Sequence, residues 1–418
     1  MLYGLIGERL GHSYSVQIHA SIADYKYELR EIKKEELEEF IKNRDFNGIN
    51  VTIPYKKSVM PYLDEVSETA RRIGAVNTVV NKNGKLYGYN TDFYGMRELV
   101  KHAGISVENK KVLIFGTGGT SATARAVSES LHAREIISVS RGGKNGAITY
   151  EQAALAHNDA DVIINTTPAG MYPDTESRPA DISVFKDLSG VIDAVYNPLK
   201  TRLVLEAQKR GIKAEGGLYM LAAQGVYASA LFLGKEVNRS DIDKAYSKVL
   251  SEKRNIVLTG MPGAGKTTVG KLLAARTGKP FFDSDCETVK AIGMSVSDYF
   301  ARFGESAFRK KEKETVTRLS LIGGRIIATG GGAVLDGENV DALRHNGVIV
   351  FLDTPIEKIA ATADRPLSST RAELEKRYAE RYRIYCDTAD VRIVNSGTPD
   401  QASDGVLEAI KLKTETDL

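Results

Sequence analysis

Apolar stretches of strand length alternate with helical patterns along most of the chain. Near the start, LYGLIG and GINVTIP have the composition of buried strands, whereas KEELEEFIKNR has the spacing of an amphipathic helix. A second series begins near residue 110, where the strand KVLIF precedes a glycine turn and the helical stretch SATARAVSESLHA. Such alternation is typical of parallel sheets wrapped by helices, so the predicted fold class is α/β.

A third series starts after a change in composition. The apolar helical stretch LYMLAAQGVYASALFLG gives way to the polar residues 238–253, which we interpret as a short helix plus a linker. The strand NIVLT then opens a new series that continues to residue 394. We therefore predict one α/β domain at 1–100, completed by a helix at about 218–237, a second at 101–217, a linker at 238–253 and a third domain at 254–418.

Composition and charge exclude several classes of protein. The 418 residues are 42% hydrophobic and carry a formal net charge of +3, without the basic excess of a nucleic-acid-binding protein. The chain shows neither an apolar run long enough to cross a membrane nor a signal-peptide pattern at its N-terminus. The two cysteines, Cys286 and Cys386, have no metal-ligand spacing, so we expect a cytoplasmic protein without a disulfide.

The sequence GMPGAGKT at 260–267 fits the phosphate-binding pattern GxxxxGK[ST] and lies between a strand and a helical pattern. Its glycines let backbone amides surround phosphate oxygens, Lys266 reaches the outer phosphates, and Thr267 can hold Mg²⁺. The alternative is an ordinary turn, but the context favours a nucleoside triphosphate such as ATP. The nucleotide-binding residues we expect are Gly263, Ala264, Gly265, Lys266, Thr267 and Thr268.

Two carboxylates follow the next strand, PFF, at Asp283 and Asp285. One can hold Mg²⁺ through water while the other accepts a hydroxyl proton, although two acids after a strand are often only a helix cap. Arginines bind carboxylates and phosphates bidentately, and glycines let a substrate approach the backbone. Residues of these types follow at Arg309, Gly331, Gly332, Arg365 and Arg381.

These motifs, in this order, resemble shikimate kinase over about 254–395. The resemblance implies that Asp283 helps to bind Mg²⁺ and that Asp285 binds the substrate hydroxyls and is a candidate base. It further implies that Arg309 and Arg381 grip the shikimate carboxylate, that Gly331 and Gly332 contact the ring hydroxyls, and that Arg365 closes from a lid over the phosphates. The family's RPLL is here Arg365-Pro-Leu-Ser368, which departs past the arginine.

Polar side chains also follow the strands of the first 100 residues. A hydroxyl, amide, carboxylate or amine at each strand end suits a small polyhydroxylated ligand. Taken alone, Lys56 would be interpreted as a solvated surface lysine, because long charged side chains usually lie exposed. The side chains in question are Ser13, Ser15, Thr52, Lys56, Asn77 and Asp92.

The turn GTGGTS at 116–121 is typical of dinucleotide-binding folds, with Ser121 at the third glycine position. The next strand ends at Arg141 rather than at an acid, which favours the 2′-phosphate of NADP over the ribose hydroxyl of NAD. The alternative for Arg141 is an exposed turn residue. The cofactor-binding residues we expect are Gly116, Gly118, Gly119, Thr120, Ser140, Arg141 and Lys144.

Together with NTTPAGM at 165–171, YNP at 196–198 and GLYMLAAQ at 217–224, these motifs resemble shikimate dehydrogenase across about 1–237. The resemblance implies a two-lobed unit, an α/β substrate domain plus a Rossmann NADP domain, with Lys56 and Asp92 as the catalytic pair. Departures from the family are Val16, Ala20 and the sequence SRG at 140–142. The implied substrate contacts are Ser13, Ser15, Thr52, Asn77, Asp92, Tyr196 and Gln224.

The two resemblances name consecutive steps of one pathway. They imply a bifunctional enzyme that reduces 3-dehydroshikimate to shikimate with NADPH and then phosphorylates shikimate with ATP and Mg²⁺. One alternative is an NAD-dependent quinate/shikimate dehydrogenase in the first half, and another is a silent regulatory or scaffold half. The expected partners are small-molecule substrates, with no nucleic acid or membrane, and a homo-oligomeric state is left open.

Overall fold

Strands of the chain form three sheets in the computed structural model, which describes residues 2–11, 13–144, 146–359 and 370–416. They lie in two units, Met1–Leu250 and Ser251–Leu418, here called the first and second unit. Arg365, the expected lid residue, falls outside the described residues. Cys286 and Cys386 are free thiols, as predicted. Within the described ranges, every helix is too short or too polar to span a bilayer.

The first sheet is mixed, with the order β2-β1-β3-β5-β6-β4. Its strands are β1 (Tyr3–Gly7), β2 (Tyr27–Glu31), β3 (Gly48–Val51), β4 (Glu65–Val66), β5 (Thr78–Lys82) and β6 (Lys85–Tyr89). β1 runs parallel to β2 and β3, whereas β5 is antiparallel to both β3 and β6. Parallel pairing, as expected from the alternation, is thus combined here with antiparallel strands. The turn residues Asn83 and Gly84 have φ angles of 54° and 83°, which suits a tight hairpin that reverses the chain.

The second sheet is fully parallel, with the order β11-β10-β9-β7-β8. Its strands are β7 (Lys111–Phe115), β8 (Glu135–Val139), β9 (Val162–Asn165), β10 (Gly190–Asp193) and β11 (Lys213–Glu215). Counted within this sheet the order is 2-1-3-4-5, a doubly wound arrangement that reverses direction beside β7. Ligands bind at this reversal, so the glycine turn after β7 occupies the expected place for a cofactor.

The helices of the first unit are α1 (Ser15–Ile22), α2 (Leu37–Asn43), α3 (Glu68–Ile73), α4 (Thr91–His102), α5 (Gly119–Ser130), α6 (Tyr150–Ala156), α7 (Arg202–Lys209), α8 (Leu218–Leu233) and α9 (Arg239–Lys253). Helix α9 fills the segment that we interpreted as a short helix plus a linker. Its buried Ile242, Tyr246 and Val249 belong to the core that also contains α4 and α8. The helix is longer than expected and leaves no separate linker at 239–253, because this spacing forms an apolar face while the polar composition belongs to the opposite face.

The second unit contains one parallel sheet with the order β13-β14-β12-β15-β16. Its strands are β12 (Asn255–Thr259), β13 (Phe281–Asp283), β14 (Ile326–Ala328), β15 (Gly347–Asp353) and β16 (Val391–Val394). Its helices are α10 (Lys266–Thr277), α11 (Ser284–Ile292), α12 (Val296–Ser320), α13 (Gly337–Asn346), α14 (Arg371–Thr388) and α15 (Pro399–Thr416). The central strand β12 is buried throughout, and the phosphate-binding loop follows it directly.

Candidate active sites

A cavity of about 440 Å³ in the first unit gathers the strand-end residues. Every substrate contact and catalytic residue predicted for this unit lines it, together with Thr120 of the glycine turn. These residues are Ser13, Ser15, Thr52, Lys56, Asn77, Asp92, Tyr196 and Gln224. Other lining residues were not assigned a role from the sequence, among them Arg9, Asn50, Met220 and Leu221.

Lys56 and Asp92 form an ion pair at the cavity wall. The Lys56 ammonium lies 2.6 Å from Asp92 Oδ2, and 28% and 18% of the two side chains are exposed. Asp92 is in the first turn of α4, where Asn90 caps the helix by accepting a hydrogen bond from the Phe93 amide at 3.2 Å. The pair therefore presents an oriented ammonium group to the cavity rather than a freely solvated lysine.

Buried amides connect neighbouring strands behind this pair. Asn77 Oδ1 accepts a hydrogen bond from the Thr91 amide at 2.7 Å, which leaves its NH₂ group as the donor end. Asn50 donates to Thr78 Oγ1 at 3.0 Å and accepts from the Tyr27 hydroxyl at 2.7 Å. Asn50 is a polar residue inside the otherwise apolar strand β3, one position before its end, and this was the available signal for its place in the site.

Helix α8 forms another wall of the cavity, and two glycines directly precede it in the chain. A Cβ atom on Gly217 would lie 2.3 Å from the carbonyl oxygen of Ala194, and one on Gly216 would lie 2.4 Å from that of Leu199. Only glycine allows the chain to pass this close to the loop after β10. The passage places Met220, on the first turn of α8, in the cavity lining.

The glycine turn after β7 is shaped as a dinucleotide site requires. Gly116 has a φ of 113°, and a Cβ atom there would lie 2.6 Å from Thr166 Oγ1. A Cβ on Gly118 or Gly119 would meet nothing within 4 Å, so the backbone at the start of α5 is open to a ligand. Ser121 Oγ donates to the Gly116 carbonyl at 2.8 Å and thus closes the turn at the third glycine position.

Three further residues expected to bind the cofactor follow β8, the strand beside β7. Ser140 donates its backbone amide to the Ile148 carbonyl at 2.9 Å. Arg141 and Lys144 are both exposed to solvent. Because β8 neighbours the glycine turn, this strand end is suitable for a 2′-phosphate, and the assignment of Arg141 stays a prediction.

The second unit has a cavity of about 510 Å³ beside the phosphate-binding loop. Most predicted residues line it, whereas Ala264 is buried and donates its amide to the Met261 carbonyl at 3.1 Å. Glu312 and Arg377 also line the cavity, and neither was predicted from the sequence. The predicted residues present are Gly263, Gly265, Lys266, Thr267, Thr268, Asp283, Asp285, Arg309, Gly331, Gly332 and Arg381.

The loop and the first carboxylate form the nucleotide end of this cavity. Lys266 Nζ donates to the carbonyls of Gly260 and Met261, both at 2.9 Å. Thr267 Oγ1 donates to Asp283 Oδ2 at 2.8 Å, and a hydroxyl beside a carboxylate is a donor set that suits Mg²⁺. Asp283 Oδ1 also accepts from the amides of Asp285 and Cys286, so the helix-cap interpretation holds as well.

Asp285 lies between the loop and the glycine run 330–332. Its side chain is exposed to the open cavity, and a Cβ on Gly330 would lie 2.3 Å from its Oδ1. Desolvation, with repulsion from Asp283 and Glu312, raises the pKa of Asp285 to about 6. A carboxyl group with such a pKa can exchange a proton near neutral pH.

Two arginines approach the same glycine run. Arg309 pairs with Glu312 at 2.9 Å and with Glu305 at 3.0 Å, and its Nη1 would lie 2.6 Å from a Cβ on Gly332. Arg381 Nη1 donates to the Gly331 carbonyl at 3.1 Å. The two guanidinium groups therefore form a cationic side of the cavity that suits a carboxylate.

Comparisons with known proteins give matches in both units. The family model of the shikimate dehydrogenase substrate binding domain matches residues 5–79, and that of shikimate kinase matches residues 262–411. The chain is 37% identical over 265 residues to a shikimate dehydrogenase (NADP(+)) of Clostridium perfringens strain 13, covering 59% of this chain and 98% of that protein. It is 38% identical over 261 residues to one of Methanococcus maripaludis, covering 56% and 92%.

Solved structures of shikimate dehydrogenases are similar in fold to 59% of the chain. Shikimate 5-dehydrogenase of Thermus thermophilus, in complex with NADP(H) and shikimate, is 31% identical with a TM-score of 0.54 and covers 59% of this chain and 98% of its own. A chorismate mutase/shikimate 5-dehydrogenase fusion protein of Clostridium acetobutylicum is 34% identical with a TM-score of 0.57 and covers 59% and 96%.

Proposed function

The chain belongs to the shikimate dehydrogenase family and carries a shikimate kinase domain, and we propose that it performs two consecutive reactions. The first reduces 3-dehydroshikimate to shikimate with NADPH. The second transfers the terminal phosphoryl group of ATP to shikimate and gives shikimate 3-phosphate, a precursor of the aromatic amino acids. The observation that carries this proposal is the presence in one chain of two cavities, each lined by residues of its own motifs.

In the first reaction, Lys56 stabilises the charge that develops on the substrate, and Asp92 orients Lys56. NADPH bound at the glycine turn supplies the hydride. Negative charge then develops on the carbonyl oxygen, and an ammonium group at hydrogen-bond distance can stabilise it and donate a proton. Asp92, 2.6 Å from Lys56 Nζ, keeps the ammonium oriented towards the cavity. The amides of Asn77 and Gln224 can bind the ring hydroxyls.

In the second reaction, Asp285 accepts the proton of the attacking hydroxyl. Thr267 and Asp283 would hold Mg²⁺, which neutralises phosphate charge when bound. Lys266 stabilises the transferring phosphoryl group, and Arg309 with Arg381 binds the carboxylate at the far side of the ring. We retain the proposal that Arg365 covers the phosphates.

Product analysis tests the proposal directly. Purified full-length protein should convert 3-dehydroshikimate, NADPH, ATP and Mg²⁺ into shikimate 3-phosphate, with shikimate alone when ATP is omitted. Quinate and NADH, offered in parallel, test the alternative dehydrogenase. Failure of either step with all components present would leave that half as a binding module.

The choice of NADP rests on Arg141, so its replacement is informative. Arg141→Ala should raise KM for NADPH and leave KM for NADH nearly unchanged, because only NADPH carries the dianionic phosphate that a guanidinium binds bidentately. Equal losses with both cofactors would assign Arg141 to the pyrophosphate or to the fold.

A further inference from the structure

Two side chains from outside the phosphate-binding loop converge on one of its carbonyl groups. Thr354 Oγ1 donates to the Ala264 carbonyl at 3.1 Å, and Asn395 Nδ2 donates to the same oxygen at 2.9 Å. Asn395 Nδ2 also donates to Thr354 Oγ1 at 3.0 Å. The three groups form a closed hydrogen-bonded triangle around the Ala264 carbonyl.

The sheet fixes both donors in place. Thr354 directly follows β15, Asn395 directly follows β16, and these strands are paired in parallel. The Asn395 amide donates to the Asp353 carbonyl at 2.9 Å, which continues the ladder to the position of the side chain. Thr354 is only 8% exposed, so its hydroxyl has little access to water. These donors are therefore parts of a rigid strand edge.

We propose that Thr354 and Asn395 are positioning residues that aim the phosphate-binding loop at its nucleotide. In a trans peptide the carbonyl and the following N–H point in opposite directions. When the Ala264 oxygen is held against the strand edge, the Gly265 amide is directed to the other side, where Gly265 lines the cavity. Its φ of 84° is a conformation that needs glycine, and the triangle stabilises it.

The triangle differs from the other contacts of the loop. Lys266 binds the carbonyls of Gly260 and Met261, and it leaves them when it reaches for phosphate oxygens. The bonds to Ala264 involve no group that a nucleotide takes. They therefore hold the loop in both the free and the bound state, and the inference rests on the proposed nucleotide site.

Near-isosteric variants of the full-length protein test the proposal. Thr354→Val and Asn395→Asp each remove a donor, and the dissociation constant of MgADP should rise about 3- to 10-fold for the first, the value of one hydrogen bond. The rise should be about 10-fold or more for the second, which sets a carboxylate against a carbonyl oxygen. KM for ATP should rise in parallel, while KM for shikimate and dehydrogenase turnover stay at parent values.

Thr354→Ser keeps a hydroxyl and should restore nucleotide affinity, which separates donation from packing. Parent affinity for MgADP in both donor-deficient variants, or an equal rise in KM for shikimate, would overturn the proposal. If Asn395→Asp does not fold, the Val and Ser variants of Thr354 decide the matter. MgADP binding needs no acceptor, so a protein that binds it but leaves shikimate unmodified would refute the kinase assignment and not this one.

Discussion

Single charged side chains in both cavities are held by a partner rather than left to solvent. Lys56 is paired with Asp92 at 2.6 Å, and Arg309 with Glu312 at 2.9 Å. The Lys56–Asp92 pair is partly exposed, so its contribution to folding is small compared with its effect on orientation, whereas Glu312 is buried beneath Arg309. A paired charged group gives up part of its hydration, but its position is fixed, and this defines where a substrate group has to approach.

Replacement of Lys56 tests its role as a proton donor. Lys56→Ala should lower dehydrogenase turnover by about two to four orders of magnitude, because a positioned acid is lost, with a much smaller change in substrate affinity. The neighbouring Lys57 is exposed, and Lys57→Ala is the matched control. Kinase activity of the same preparation should stay at the parent value, because its site lies in the second unit. Near-parent reduction by the Lys56 variant would mean that it is a surface lysine.

The raised pKa of Asp285 predicts the pH dependence of the kinase. A group with a pKa of about 6 keeps its proton below that pH and accepts one only above it. With saturating MgATP, kcat/KM for shikimate should therefore fall about tenfold per pH unit below about pH 6 and level off above about pH 7. Asp285→Asn should bind MgADP normally and lose most turnover at every pH. A flat profile in the parent protein would argue against Asp285 as the base.

At the scale of whole elements, features set by the local sequence pattern could be predicted, whereas features set by tertiary context could not. The ends of strands could be predicted because apolar runs stop at polar residues, and the polar residues chosen in this way line one cavity of the first unit. The antiparallel β5–β6 hairpin was missed although Asn83-Gly84 is a strong turn signal. Glu312 and Arg377 were missed because, in highly charged helices, a residue facing a cavity and one facing solvent have the same sequence pattern.

Helix α9 revises where the chain can be divided. Its buried face packs in the core of the first unit, and the Tyr219 hydroxyl of α8 donates to Asp243 at 2.7 Å. Lys279 Nζ donates to the carbonyls of Ser251 and Arg254, both at 2.7 Å. Residues up to 250 thus stabilise the first unit, and residues from 251 stabilise the second.

Truncation should separate these contributions. A chain that ends at Lys253 is expected to retain dehydrogenase activity near the parent value, whereas one that ends at Asn238 exposes the core under α9 and should be inactive or aggregated. The five buried side chains of α9 account for the difference. Thermal inactivation of the two fragments, measured side by side, is the assay. Equal stability would restore the linker interpretation.

At the scale of the whole molecule, each cavity is lined by residues of its own unit. Neither set of described lining residues draws on the other unit. The covalent connection therefore ensures equal numbers of the two units, but neither cavity requires it.

Isotope dilution tests whether shikimate passes through solution between the reactions. With labelled 3-dehydroshikimate and excess unlabelled shikimate, the shikimate 3-phosphate formed should be mostly unlabelled, because a small released intermediate mixes with the bulk pool before it is captured. A mixture of the two separate fragments is the control. Mostly labelled product from the intact chain alone would require direct transfer.

The glycine passage into α8 has a consequence for how this enzyme can diversify. Any side chain at Gly216 or Gly217 would collide with backbone oxygens at 2.4 or 2.3 Å, and backbone cannot move aside as a flexible side chain can. Substitution of glycine by any other residue is therefore excluded at both positions. Met220 and Leu221, in the first turn of the same helix, line the cavity with their side chains, so a substitution there changes the cavity without requiring the backbone to move. A new substrate preference in the first unit would therefore have to arise at cavity positions such as Met220 and Leu221. Gly216 and Gly217, where the chain enters α8, would have to stay glycine.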